Sequence, residues 1–402
     1  MGSNPTLLDA TAERTLPRVA QGSLLTLLLL SLGHCFVDIY SSALGALQPL
    51  LVDHFRLSYT QAGILGGVLV FSSSVMQPVY GFFSDRWRTR MFAALGPLVA
   101  GLFISALGLA PGYGWLVAMV WLGGIGIAMF HPQASARATF GLESGRGRAM
   151  AIFVSAGTVG FSLGPTYFSA IAGRWGLSGT WLAAMPGVFV SVLLLALLPH
   201  AEPFGSREPK RLDWRPLQAA WKPLTILYLL VFLRSVVQIT FAQFLPLYLH
   251  VERGFAFSTA NHTLSLYLFG GALGGFLGGH LADRFGGRTV IQLSMIGSVP
   301  FLVLFFLAPG AFSLLGLFLG GLMLLFTIPV NVVMAQELAP GQSGTVSALM
   351  MGFGWGMAGL IFIPITGWAF DHFPMRHVLL SLAAAPALGF LLALKLPRSV
   401  SP

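Results

Sequence analysis

The stretches "GFFSDRWRTR" (81–90) and "GGHLADRFGGR" (278–288) are two versions of one phrase, with their Asp-Arg pairs 198 positions apart. Each is short and basic, and each follows a long apolar run. One phrase written twice at that distance predicts a duplicated folding unit. The apolar runs around it say what kind of unit.

Hydrophobic residues make up 55% of the 402-residue chain and charged residues 9%. Soluble globular proteins carry about 25% charged residues; so few charges cannot cover a water-facing surface. A bilayer-spanning helix needs ~20 mainly apolar residues, and hydropathy with Gly/Pro breaks predicts twelve of them. They cover 22–52, 59–83, 91–110, 114–137, 147–174 and 179–199, then 222–250, 259–282, 288–308, 311–337, 342–371 and 376–396. The organisation read from this is a tail at 1–21, a six-helix unit at 22–199, a polar linker at 200–221, a second six-helix unit at 222–396 and a tail at 397–402. Thr11, Glu13, Arg14 and Arg18 interrupt any apolar core within 1–20, so no cleavable leader is expected there. The single cysteine, Cys35, excludes an intramolecular disulfide and a thiolate metal cluster.

An even number of spans places both termini and the linker on one side. Of the 22 Lys and Arg, only Arg56, Arg174, Arg253 and Arg376 fall on the other side, and Arg234 falls inside a span. The positive-inside rule then predicts that the termini are cytoplasmic. The net charge of +9 reads as a topology signal, not as a nucleic-acid footprint.

Other landmarks fit a duplication. "LQPLLVDHF" (47–55) ends the first helix and "FLPLYLHVE" (244–252) ends the seventh, with Pro49 and Pro246 lying 197 apart. Two such halves around a central cavity are a transporter plan, with a solute site near the midplane. Gly81-x-x-x-Asp85-Arg86-x-Arg88-x-Arg90 and Gly279-x-x-x-Asp283-Arg284-x-Gly286-Gly287-Arg288 resemble the loop signature of the major facilitator superfamily, with Arg88 where a glycine is usual. The resemblance implies an all-α fold of two pseudo-symmetric six-helix bundles. It also implies a loop that latches the bundles in one of the alternating states, through Gly81, Asp85, Arg86, Arg90, Gly279, Asp283, Arg284 and Arg288. Read from the residues alone, the same clusters serve as stop-transfer anchors.

"SAGTVGFSLGP" (155–165) places Gly157, Gly160, Gly164 and Pro165 on the fifth helix and resembles the Gly-x-x-x-Gly-Pro motif of proton-coupled exporters in that superfamily. Close helix packing alone would also explain such glycines. Gly270, Gly274 and Gly278, beside Gly271, Gly275 and Gly279, predict a similar packing face on the eighth helix. "GIGIAMFHPQASARA" (124–138), "SLGHCFVDIYSSALGALQPLL" (31–51) and "IPVNVVMAQELAPG" (328–341) resemble the fourth, first and tenth helices of fosmidomycin-resistance-type exporters. That resemblance implies a bacterial inner-membrane protein that exports small drug-like or anionic, phosphonate-like compounds against protons.

Ionisable groups inside spans cost ~2.5–3.5 kcal/mol at the bilayer centre on insertion scales, so each is a functional candidate. Asp38 and Arg234 sit mid-span in the first and seventh helices, 196 apart, and should face one cavity from opposite units. A static buried ion pair is the plainer expectation for the two. The candidates for proton coupling are Asp38, His34 one helical turn before it, and His131 beside Pro132. The candidates for solute contact are Arg234, Gln238, Gln243, Asn331, Gln336, Gln77 and Tyr40. Helix stitching is an equal expectation for the amides. Arg137 is expected at lipid headgroups, and Asp53, His54, His250 and Glu252 at a solvated rim.

The sequence contains no Gly-x-x-x-x-Gly-Lys-Ser/Thr, so no ATP motor of that type is encoded. Mid-span His and Asp are too sparse for an intramembrane enzyme. No cofactor, resident metal or nucleic-acid partner is expected. The expected partners are a small-molecule solute, protons and the lipid bilayer, around a monomer. Two alternatives to drug export stay open: an uptake symporter for a small metabolite, and a divalent-metal exporter using His34 and Asp38.

Overall fold

The computed structural model of the chain describes residues 18–87, 89–139, 145–199, 214–340 and 342–397. Arg88, the 1–17 tail and most of the linker lie outside the described residues, as does the side chain of Asp85. Among the described residues, twelve helices are long and apolar enough to cross a membrane. They are α1 (Leu24–Phe55), α2 (Tyr59–Ser84), α3 (Met91–Leu109), α4 (Tyr113–Ala138), α5 (Arg146–Trp175) and α6 (Ser178–Leu197), followed by α7 (Trp221–Val251), α8 (Phe257–Phe285), α9 (Gly287–Leu307), α10 (Gly310–Leu338), α11 (Thr345–His372) and α12 (Met375–Ala393). The expected spans are all present, with ends shifted by a few residues.

In lipid every backbone polar group must find its partner within the segment, which favours helices over any open alternative. Prolines interrupt that ladder without ending it. α4 runs through Pro132 and α5 through Pro165. Two helices widen by a π-turn, α2 at Phe71–Val75 and α11 at Ala348–Phe353.

Packing divides at the linker. One apolar core draws its buried residues from between Leu27 and Leu198. Two others draw theirs from between Ala220 and Leu396, with Val70 reaching in from α2. These are two six-helix bundles, and the repeated phrase plays the same part in each. Gly81 packs on Pro132 of α4, and Gly279 on Pro329 of α10. The Arg90 guanidinium donates to the Leu198 carbonyl at the end of α6, and Arg288 donates to the Leu394 carbonyl at the end of α12 (2.8 Å). Both arginines thus satisfy the free carbonyls of a helix C-terminus within their own bundle. Arg137 does likewise: it is buried and donates to Pro199 at 2.9 Å, so it does not reach lipid headgroups.

The bundles meet tightly at the end away from the termini. A Cβ on Gly45 of α1 would fall on the Ala242 carbonyl of α7, and one on Gly63 of α2 would lie 2.8 Å from the Ile363 carbonyl of α11. Only glycine permits such approach between crossing helices. Asp371, near the end of α11, accepts hydrogen bonds from the backbone N–H of Tyr59 and of Thr60 (both 2.9 Å) and from the Thr60 hydroxyl (2.6 Å). A carboxylate from one bundle therefore holds a helix N-terminus of the other. Glu252 is exposed at the rim, and it also accepts from the N–H groups of Met375 and Arg376 and ties α7 to α12.

Candidate functional site

A cavity of about 970 Å³ lies between the bundles. Its lining runs from Gly45, Gln243 and Ile363 near mid-span to Ala151, Asp283 and Gly352 at the end carrying the termini. The helices that close the far end leave this end parted. The two walls differ chemically.

On the first-bundle wall stand Asp38 and His131, with His34 tucked behind them. His131 Nε2 lies 3.2 Å from Asp38 Oδ1, and His34 Nε2 lies 3.4 Å from Asp38 Oδ2. The other ring nitrogens fix the tautomers. His131 Nδ1 is 2.8 Å from the Ile127 carbonyl, and His34 Nδ1 is 2.8 Å from the Phe153 carbonyl. A carbonyl only accepts, so each Nδ1 carries the hydrogen. Each neutral Nε2 would then point a lone pair at a carboxylate. That contact is repulsive until a proton sits in it. The trio is therefore suited to hold a proton among its three acceptors. Phe153 stacks on His34, ring centroids 4.2 Å apart, and steadies the imidazole. Gly157 makes the room: a Cβ there would lie 2.5 Å from His34 Cε1 and 2.7 Å from Asp38 Oδ2. The glycine that the α5 motif singles out as a packing residue also borders the acid–imidazole cluster.

On the second-bundle wall stands Arg234, fully buried on α7, donating to the Gln238 side-chain carbonyl one turn on. No carboxylate lies within ion-pair distance of it among the described residues, and its Nε–H has no hydrogen-bond partner there. The static Asp38–Arg234 pair is thus not formed. Two further donors on the lining also lack partners among the described residues: the Gln243 amide nitrogen and the Tyr267 hydroxyl. Burying a polar group unpaired costs about 1–3 kcal/mol. These three donors, one of them on the cationic side chain itself, give the second-bundle wall the chemistry of a site for an acceptor-rich ligand, with Gln243 placed further along α7, against Gly66 of α2. Tyr267 was not singled out from sequence. It reads there as one more aromatic in an apolar run, and only its mid-span depth on α8 marks it.

Gln77 also lines the cavity, with its amide donating to the Ser73 carbonyl at 2.9 Å. The remaining solute candidates lie elsewhere. Tyr40 is fully buried inside the first bundle, donating to the Ala183 carbonyl (2.9 Å) and accepting from Gly187 N–H (3.0 Å). Gln336 donates to the Ser347 hydroxyl at 2.8 Å, joining α10 to α11. Asn331 is buried off the cavity lining. Of the latch candidates, Asp283 is exposed at the cavity mouth, Arg86 and Arg284 are exposed, and Arg284 lies over the Phe285 ring. The glycine rows of α8 divide: Gly270, Gly274 and Gly278 pack on α10, while Gly271, Gly275 and Gly279 line the cavity.

Comparison with known proteins matches this architecture. The family model of the Major Facilitator Superfamily matches residues 30–264 and 227–402. An uncharacterised MFS-type transporter, YfnC of Bacillus subtilis, is 32% identical over 376 residues, covering 91% of each chain. The fosmidomycin resistance protein of Escherichia coli is 28% identical over 392 residues, covering 95% of this chain and 94% of its own. Among solved structures, a bacterial homologue of the human lysosomal transporter Spinster, in an inward-facing and occupied conformation, aligns with a TM-score of 0.79 at 17% identity, covering 94% of this chain and 99% of that one. With twelve spans, two bundles, a central cavity and no relative among these that is an enzyme, the chain is a multi-pass membrane transporter and belongs to the major facilitator superfamily.

Proposed function

We propose that the protein is a proton-coupled antiporter that exports a small anionic, phosphonate-like compound. The observation that carries this reading is the pairing of unlike walls: Arg234 and donors unpartnered among the described residues on one, and an acid–imidazole trio suited to hold a proton on the other. With the termini cytoplasmic, the cavity opens to the cytoplasm and loads from there. The acidic group of the solute accepts from Arg234 and Tyr267. A hydrogen-bond donor at the other end of the solute needs the Asp38 carboxylate as acceptor, and the carboxylate can serve it only after giving up its proton. Solute and proton then exclude each other at Asp38, which is the condition for exchange. Similarity to the fosmidomycin resistance protein supports export of this class of compound.

A second reading has an observation of its own. An anion without such a donor would draw protons onto the trio by charge, because Asp38 and the anion share one cavity. Proton and solute would then load together, as in symport.

Proteoliposomes carrying a pH dye inside separate the two. Under antiport, solute leaving the lumen drives protons in, and solute affinity rises with pH because solute and proton compete. Under symport both signs reverse. Asp38→Asn should abolish the proton movement under either scheme. Unchanged coupled flux in that variant removes Asp38 from the mechanism.

A further inference from the structure

We propose that His34, Asp38 and His131 form a chelating site for a divalent transition-metal cation of the zinc class, open toward the cavity. One ligand atom from each of the three residues can be chosen so that all lie within 4.8 Å of one another. Zinc bound to imidazole nitrogen and carboxylate oxygen at ~2.0–2.1 Å in a tetrahedron needs ligand atoms about 3.3 Å apart. The imidazole–carboxylate separations are 3.2 Å from His131 to Asp38 Oδ1 and 3.4 Å from His34 to Asp38 Oδ2, one oxygen for each ring, so the ion is held by both carboxylate oxygens or by one after a small turn of the carboxylate.

The surroundings of the trio are those of a ligand set. Both imidazoles present Nε2 and commit Nδ1–H to a backbone carbonyl, at 2.8 Å in each case. That outer hydrogen bond is what orients a metal-binding histidine and raises its basicity. His34 and Asp38 sit one turn apart on α1, and His131 comes from α4, so two helices with their own packing hold the geometry. The three acceptors converge with no donor among them when the imidazoles are neutral. One divalent ion satisfies all three at once. Two nitrogens and one carboxylate oxygen suit zinc, not calcium or magnesium, which take oxygen-only sets. Asp38 and His131 reach the cavity wall, which leaves a fourth position for water or solute. Arg234 stands on the opposite wall and makes no ion pair with Asp38, so its charge does not fill the site.

Binding stands on this geometry alone. Block of transport by the bound ion rests in addition on the proton reading above. The test uses the purified full chain in lipid nanodiscs, titrated with chelator-buffered Zn²⁺ by calorimetry, and with Co²⁺ for the visible absorption of a tetrahedral site. The expected result is one saturable ion per chain, with affinity falling at least tenfold in His131→Gln and in Asp38→Asn, and no change in His372→Gln at the far end of α11. Gel filtration shows which variants are folded, and His34→Gln replaces either one that is not. No saturable binding in the wild type, or equal binding in all variants, overturns the inference. Variant-sensitive binding that leaves proton-coupled flux untouched supports the metal site and removes the proton reading instead.

Discussion

Adding one methyl group at position 157 tests whether the trio's geometry matters more than the stability of the helix beside it. In Gly157→Ala the new Cβ would sit 2.5 Å from His34 Cε1 and 2.7 Å from Asp38 Oδ2. Non-bonded carbons prefer about 3.5–4.0 Å, so the ring or the helix must yield by about 1 Å. His34 cannot retreat freely, because its Nδ1 is held 2.8 Å from the Phe153 carbonyl and its face is stacked on Phe153. A shift of that size takes the hydrogen bond beyond the ~3.2 Å limit. A hydrogen bond between neutral groups contributes about 0.5–1.5 kcal/mol, and about 1.4 kcal/mol is tenfold in rate. Proton-coupled flux should therefore fall roughly twofold to tenfold. Fold stability should change much less. Alanine gains about 0.8–1 kcal/mol over glycine within a helix, against about 1–3 kcal/mol for overpacking. Gly173→Ala on the same helix has open space around it and should keep full flux with an equal or higher melting temperature. Dye-reported proton flux in proteoliposomes, read beside thermal melts, separates the two effects. Wild-type flux in folded Gly157→Ala would refute the reasoning.

Tyr267→Phe removes a buried hydroxyl that has no partner among the described residues, so the empty protein should gain up to about 1 kcal/mol in a melt while solute affinity falls several-fold. The opposite signs would mean the hydroxyl serves the fold. Arg234→Gln keeps a donor but removes the charge, and should lose anionic solute at least tenfold while leaving neutral solutes unaffected; equilibrium binding checks this. Asp371→Asn replaces the carboxylate that holds the α2 N-terminus, an interaction of about 0.5–2 kcal/mol. The closed end should open more often, by about twofold to thirtyfold, measured as labelling of a cysteine introduced near Thr60. Arg90→Ala and Arg288→Ala each remove a bond to a helix-end carbonyl and should each cost about 1–2 kcal/mol. Because they lie in different bundles, the double variant should cost their sum in denaturant melts.

Much of the candidate site was written in short windows of sequence and the rest was not. Asp38 and Arg234 stand out alone, because a charge in an apolar run is costly wherever the run folds. His34 follows from helical spacing, as it lies one turn from Asp38. The contact of His131 with Asp38 bridges 93 positions and depends on how α4 docks against α1. Tyr40 and Gln336 are polar and mid-chain like the others, but they spend their hydrogen bonds inside the protein. No local pattern distinguishes a polar group turned to a cavity from one turned to a neighbouring helix.

Hydropathy and repetition, both properties of the chain read along its length, determined the number of spans, their pairing into two related units and the presence of a charge in each. A helix in lipid has little choice: its length and apolarity answer to the bilayer before any other helix is near. Which face of each helix meets which neighbour was decided only by the tertiary structure. Glycine-scale differences set how closely helices approach, and those approaches put His131 against Asp38, left Arg234 without a carboxylate partner among the described residues and placed Asp371 on the first turn of α2. Between helices already in the membrane, no hydrophobic gradient remains to choose the partners, so packing shape and hydrogen bonds make the choice.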